Sequence, residues 1–144
     1  MVTIFTNDGE SADDETGGSA EMTVGVTLGR VLLGLGLAAQ ASEDFRDMED
    51  TVEYAESAGV PAPEVAAPTA SGMMVVSGLG LALWKLPRIA TGAAVTFLTV
   101  VTLTMHDFWN ADPDDRDGER LAFFGNVAML GGAVAFLAKA WGGD

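Results

Sequence analysis

Residues 65–105 read VAAPTASGMMVVSGLGLALWKLPRIATGAAVTFLTVVTLTM and contain two apolar segments with a short charged interruption. A helix that crosses a bilayer needs roughly 20 mostly apolar residues. Segments 65–84 and 89–105 approach that length, and only Lys85-Leu86-Pro87-Arg88 lies between them. Because so short a link leaves no room for a crossover, the two segments are predicted to form an antiparallel helical hairpin in a membrane.

Two further apolar segments extend this hairpin to four spans. Residues 22–41 and 121–141 are long enough to cross a bilayer, and the first is interrupted only by Arg30. The fold class is therefore predicted to be all-α, an integral membrane four-helix bundle over residues 21–144. Residues 1–20 are rich in Gly, Ser, Thr, Asp and Glu, which bury little apolar surface, and they are predicted to form a flexible acidic tail.

The charged residues are concentrated between the apolar segments. The formal net charge is −14, and 20 of the 21 Asp and Glu residues lie in segments 1–21, 43–64 and 107–119. Acidity in every aqueous segment is typical of proteins that work at high salt, so a salt-loving archaeon is the expected source. Only seven Lys and Arg residues are present, which argues against binding to nucleic acid. With one His and no Cys, no metal site is predicted.

Residues 43–58, EDFRDMEDTVEYAESA, alternate acidic and apolar side chains at roughly helical spacing. We expect an amphipathic helix that lies on the outer surface of the membrane and ends at Gly59 and the following prolines. A solvated acidic helix without membrane contact is the alternative.

The loop charges predict the orientation of the bundle. The Lys85–Arg88 link carries two positive charges and no negative one, whereas the other two loops are strongly acidic. The positive-inside rule places this link in the cytoplasm. Both termini are then cytoplasmic, and residues 42–64 and 106–120 face outward.

Ionisable and polar side chains within the spans are the candidate functional residues, because charge in a bilayer is costly. Arg30 lies roughly 16 Å below the outer end of its span, and its side chain is expected to extend outward. There it would meet polar residues of the third and fourth spans in one ligand-binding cluster. This cluster comprises Arg30, Thr99, Thr102, His106 and Asn126. Histidine changes charge near neutral pH, which suits proton exchange with the outer solution.

The alternative for Arg30 is a structural clamp that donates hydrogen bonds to helix carbonyls. Small-residue pairs on two spans, Gly25 with Gly29 and Ala128 with Gly132, indicate close helix packing. Tryptophans close to the span ends are predicted to be interfacial anchors. These are Trp84, Trp109 and Trp141.

Five short motifs occur in a fixed order along the spans. They are LGRVLLGLGL around Arg30, AGVPAPEVAAP at 58–68, SGLGLALWKLPRIA at 77–90, HDFW at 106–109 and FFGNVAMLGG at 123–132. In this order and spacing the chain resembles the DoxX family over about residues 22–141. The resemblance implies a four-helix membrane architecture. It also implies an association with membrane redox systems, since the family takes its name from a subunit of a thiosulfate:quinone oxidoreductase system.

Two classes of function follow from these observations. The first is a small membrane component of a redox or quinone-linked system, which binds a quinone or docks a soluble or membrane redox protein. The second is a non-enzymatic membrane scaffold or small-solute carrier. No haem, flavin, nicotinamide or iron–sulfur motif is evident, so an autonomous enzyme is not expected. The expected partners are the lipid bilayer and further copies of the chain in a homo-oligomer.

Overall fold

A computed structural model describes residues 10–142, with side chains described from Thr23 onward. This part of the chain is mainly helical and contains no strand, as predicted. Its helices are α1 (Glu10–Arg46), α2 (Met48–Ser57), α3 (Pro63–Leu83), α4 (Pro87–Met105) and α5 (Arg116–Gly142). All except the short α2 are long and apolar enough to cross a membrane, which agrees with the predicted spans.

The helices are antiparallel neighbours in a ring. Extensive contacts join α1 to α3, α3 to α4 and α4 to α5, and a smaller contact between α1 and α5 closes the ring. The α3–α4 link lies at one end of this bundle, which we call the turn end. The short helix α2 packs on α3 at the opposite end, which we call the α2 end. Proline occupies the first turn of both α3 and α4, where its missing N–H has no intrahelical partner to lose.

The closest contact between helix backbones is between α1 and α3. A Cβ atom added to Gly78 would lie 2.5 Å from the carbonyl oxygen of Gly34 and 2.8 Å from the amide nitrogen of Ala38. A Cβ atom on Gly34 would clash in the same way with Gly78 and Ala82. Only glycine permits this approach, and the core side chains Leu37 and Leu81 are fully buried beside it.

Some details differ from the sequence predictions. Among the predicted small-residue pairs, a Cβ atom added to Gly29 would lie 3.4 Å from Phe136, and one added to Gly132 would lie 3.4 Å from Leu33, across the α1–α5 boundary. A Cβ atom added to Gly25 would have no neighbouring side chain of residues 23–142 within 4 Å. The main crossing at Gly34 and Gly78 was not among the predicted pairs. Glycine is frequent in all four spans, so spacing alone does not identify which glycine faces a neighbouring backbone.

The boundaries at the N-terminal side also differ. Helix α1 begins at Glu10, inside the segment expected to be a tail, while residues 1–9 lie outside the described part. Once a helix is nucleated each further residue adds one hydrogen bond, and acidic residues suit a helix N-terminus, so extension beyond the span is favourable. The predicted outer helix is shorter than 43–58, because residues 43–46 complete α1 and the break comes at Asp47.

The α1–α3 crossing generates a stability prediction. Gly34→Ala should lower the free energy of unfolding by about 1–3 kcal/mol, because the new methyl group forces the two backbones apart. Gly36→Ala is the matched control on the same helix, since no atom lies within 4 Å of its added Cβ. The control should be neutral or slightly stabilising, as alanine favours helix more than glycine does. If both substitutions changed thermal unfolding in detergent equally, the close backbone contact at Gly34 would be contradicted.

Candidate functional site

Arg30 lies at the turn end and caps the C-terminus of α3. Its Nη1 donates hydrogen bonds to the carbonyl oxygens of Leu81 at 3.0 Å and Ala82 at 2.6 Å. The guanidinium also stands over the Trp84 ring, 5.5 Å from its centroid. Carbonyls in the last turn of a helix lack intrahelical partners and carry partial negative charge, so a cation stabilises them. These contacts are those of the structural clamp.

This position corrects the predicted direction of the Arg30 side chain. The side chain was predicted to extend toward the C-terminal end of its span, but the Cα–Cβ bonds of a helix tilt toward the N-terminus. In α1 the N-terminal direction leads to the turn end, where the last carbonyls of α3 lie. Arg30 and Asn126 are therefore at opposite ends of the bundle, and they do not form one cluster.

A cavity with a volume of about 630 Å³ lies at the α2 end. Residues of all five helices line it, and we call it the α2-end cavity. Most of its lining is apolar, with Phe97, Met74 and Val101 among the walls. Its polar lining residues include Gln40, Asp44, Tyr54, Ser71, His106 and Asn126.

Asn126 is the contribution of α5 to this cavity. Its side chain is only 8% exposed, and it makes no hydrogen bond with the described residues. Every fully enclosed side-chain nitrogen or oxygen in residues 23–142 has a partner. The amide of Asn126 therefore opens onto the cavity instead of being sealed inside protein. A carboxamide offers both donors and an acceptor, so it can bind a carbonyl or a hydroxyl group.

The second polar feature is a hydrogen-bonded group formed by Tyr54, His106 and Glu119, which we call the Tyr54 network. The Tyr54 hydroxyl lies 3.0 Å from Glu119 Oε1 and 2.9 Å from the carbonyl oxygen of Met105, and it can donate a hydrogen bond to either oxygen. The other carboxylate oxygen of Glu119 lies 2.8 Å from His106 Nδ1. The network ties α2 to the facing ends of α4 and α5.

The Tyr54 environment favours the neutral phenol. Partial burial raises the pKa of Tyr54 well above its ordinary value, and the hydrogen bond to Glu119 and the charges of Glu119 and Asp107 raise it further. The folded protein therefore retains the phenol proton at a pH at which an unfolded chain loses it.

A third polar contact closes the side of the cavity next to α1. The hydroxyl of Ser71 on α3 donates to Asp44 Oδ2 at 2.9 Å. Ser71 is 1% exposed, so this hydrogen bond brings a carboxylate from the end of α1 to the boundary of the apolar core.

The two predicted threonines lie near the cavity but do not line it. Thr99 and Thr102 each donate a hydrogen bond to the carbonyl four residues earlier in α4, as Ser and Thr commonly do within helices. Of the predicted ligand-binding residues, the structure thus brings His106 and Asn126 to one cavity.

The tryptophans lie near the ends of the apolar helices. Trp141 is 64% exposed and Trp109 52% exposed, at the turn end and the α2 end respectively. Trp84 is instead partly buried against Phe136, 6.4 Å between ring centroids in an edge-to-face contact. The predicted anchoring role remains a prediction for all three.

Sequence reasoning missed Tyr54 and Glu119. Tyr54 was assigned to the apolar face of an outer helix, and Glu119 to an acidic solvated segment. One signal was available: a tyrosine on an apolar face usually needs a hydrogen-bond partner for its hydroxyl.

Comparison with protein families identifies the chain. The DoxX family model matches residues 25–107, from the first span through the end of α4 and His106. The chain belongs to the DoxX family. No curated protein and no solved structure matched it significantly. As a DoxX protein with four apolar helices, it is a multi-pass membrane protein.

The separation of Arg30 from Asn126 predicts that the two residues make independent contributions to the stability of this DoxX protein. Arg30→Met should lower the free energy of unfolding by about 1.5–3 kcal/mol, the range for a hydrogen bond to a charged group. Asn126→Leu should leave stability unchanged or raise it, because no protein hydrogen bond is lost. The double mutant should be additive within about 0.5 kcal/mol, as for distant sites. A larger coupling in thermal or denaturant unfolding would mean that the residues share a partner.

The Tyr54 network predicts an alkaline transition in stability. Below pH about 10 the phenol is protonated in the folded and unfolded states alike, so the contribution of Tyr54 is constant. Above that pH the unfolded chain loses the proton and the folded protein resists the loss, so the contribution declines. Tyr54→Phe should therefore lack this part of the alkaline destabilisation in detergent.

Direct titration is possible because Tyr54 is the only tyrosine in the chain. Its ultraviolet absorbance should show no ionisation at pH about 10, where a free phenol is half ionised. The denatured protein serves as the control and should titrate normally. Ordinary titration of the folded protein would exclude the network.

Proposed function

We propose that this DoxX protein is a small membrane component of a redox or quinone-linked system, and that the α2-end cavity binds its lipophilic ligand. The observation that carries the proposal is Asn126. Its nearly buried amide opens onto a mostly apolar cavity and has no hydrogen-bond partner among the described residues. Small-molecule sites combine apolar walls with a few placed polar groups in just this way.

A quinone head group fits the residues of this cavity. Ligand cavities usually measure about 300–1,000 Å³, and this one has about 630 Å³. The Asn126 amide can donate to a quinone carbonyl and can accept from a quinol hydroxyl, so one side chain serves both oxidation states. Phe97, Met74 and Val101 supply apolar contact for the ring. When bound, a quinone supplies two-electron redox chemistry that no side chain of this protein provides.

His106 is suited to exchanging protons beside such a ligand. It lines the same cavity, and its Nδ1 lies 2.8 Å from Glu119 Oε2 in the Tyr54 network. Histidine and a carboxylate in contact can pass a proton between a cavity and the surrounding solution. The electron donor or acceptor must be a separate redox protein, for which this chain acts as the membrane-embedded partner.

We further propose that the turn end faces the cytoplasm and that the α2 end faces outward at high salt. Four of the seven Lys and Arg residues lie at the turn end, namely Arg30, Lys85, Arg88 and Lys139. This bias supports the orientation under the positive-inside rule, which reporter fusions after residues 86 and 115 would test. The acidic loops at the α2 end support a role in concentrated salt.

The ligand site is tested with a short-chain quinone and the detergent-purified protein. Asn126→Leu keeps the volume of the side chain and removes its hydrogen-bonding groups. Loss of one buried hydrogen bond should weaken binding at least about fivefold in an equilibrium titration. The fold should persist, since circular dichroism and thermal stability depend on packing that this change preserves.

Val127→Leu is the matched control, because Val127 is the next residue in α5 and its side chain is 41% exposed. This control should bind the quinone like the unmodified protein. Unchanged binding by Asn126→Leu would refute the cavity as the quinone site. If no quinone binds the unmodified protein, the scaffold or solute-carrier alternative replaces the redox proposal.

A further inference from the structure

A second groove lies at the turn end, away from the proposed quinone site. It has a volume of about 330 Å³ and lies between the N-terminal part of the α1 span and the last turn of α5. We call it the turn-end groove. It is lined by Thr23, Val26, Thr27, Arg30, Trp84 and Lys139. Two cations thus border a small groove in a protein whose net charge is −14.

The charges of the bundle are separated between its two ends. Within residues 23–142, every Asp and Glu lies in segments 43–64 and 107–119, which belong to the α2 end. The described ion pairs lie there too, and they join Arg46 to Glu43, His106 to Glu119 and Arg120 to Asp117. At the turn end no carboxylate within residues 23–142 offsets the cations, and Glu21 lies two positions before Thr23 in the sequence. An anion from outside residues 23–142 is therefore needed to neutralise them.

The cations of the groove retain unused hydrogen-bond donors. Arg30 employs only Nη1 in capping α3, so its Nε and Nη2 make no hydrogen bond to residues 23–142. Lys139 forms no hydrogen bond or ion pair within that part of the chain. A guanidinium and an ammonium together suit a phosphate group, whose several oxygens accept from both.

The depth of the groove indicates where the phosphate comes from. Arg30 bonds the carbonyl of Ala82, one residue before the end of α3, and Lys139 lies in the last turn of α5. Both charged groups therefore lie at the end of apolar helices, where lipid phosphates lie. Trp84 forms part of the groove beneath them, and tryptophan favours the same interfacial depth.

We propose that the turn-end groove binds the phosphate of an anionic membrane lipid through Arg30 and Lys139. The lipid headgroup then supplies negative charge that residues 23–142 lack at this end. Arg30 serves both the α3 C-terminus and the lipid, which couples lipid binding to the stability of the α1–α3 pair. Lys139 serves the lipid alone.

The test uses the full chain in neutral detergent micelles, with phosphatidylglycerol as the probe and phosphatidylcholine as the neutral comparison. The full chain matters because six acidic residues precede Met22, and these carboxylates compete for the same cations. Phosphatidylglycerol should raise the melting temperature in a saturable manner, and phosphatidylcholine should not. Lys139→Gln should weaken the apparent affinity for phosphatidylglycerol about fivefold, the effect expected of one lysine near an anionic headgroup.

Lys85→Gln is the matched control, since Lys85 is an exposed cation at the same end that does not line the groove. It should leave the affinity unchanged. Equal losses from both substitutions would reduce the effect to general surface charge and overturn the proposal, as would no loss from Lys139→Gln. Inorganic phosphate is the third probe, and it distinguishes a lipid headgroup from a soluble anion. If it stabilises the protein as well as phosphatidylglycerol does, with the same dependence on Lys139, the ligand is a soluble anion and the lipid assignment is wrong.

Discussion

The close contact of α1 with α3 is the interaction on which both polar regions of this protein depend. On α1 the contact runs through Arg30, Gly34, Leu37, Ala41 and Asp44, at alternating intervals of four and three residues. This is the spacing at which one face of a helix follows a neighbour. Glycine at the centre lets the backbones meet, and apolar side chains fill the next turns. A polar contact lies at each end of this row of residues, at Arg30 and at Asp44.

Those two end contacts have different consequences for function. At the turn end the Arg30 guanidinium donates hydrogen bonds to the last carbonyls of α3, so a charge that is costly in lipid is held at the membrane boundary. At the α2 end the Ser71 hydroxyl bonds Asp44 beside the cavity. If the backbones separated at Gly34 and Gly78, both contacts would be displaced together. The packing of two glycines therefore sets the geometry of two polar regions at opposite ends of the bundle.

The sequence was sufficient for the spans and insufficient for the directions of side chains. Four apolar segments of the right length can satisfy their backbone hydrogen bonds in a bilayer only as helices, so the architecture follows directly. Asn126 was identified because a carboxamide in an apolar span is conspicuous. Arg30 was assigned to the wrong end, since its direction depends on the tilt of the Cα–Cβ bond and on where α3 ends. The Tyr54 network joins residues 65 positions apart, a contact that no local pattern contains.

Asn126 differs in its hydrogen bonding from the other polar side chains of the bundle. A structural polar side chain in an apolar bundle is stabilised by hydrogen bonds to the protein. Ser71, Thr91 and Thr102 each form such a bond. Asn126 makes no such bond within residues 23–142, and its amide opens onto the α2-end cavity. An apolar residue of similar volume would fill the same space without losing a protein hydrogen bond. The amide therefore contributes little to holding the helices together, which agrees with its role as a binding residue in the proposed function.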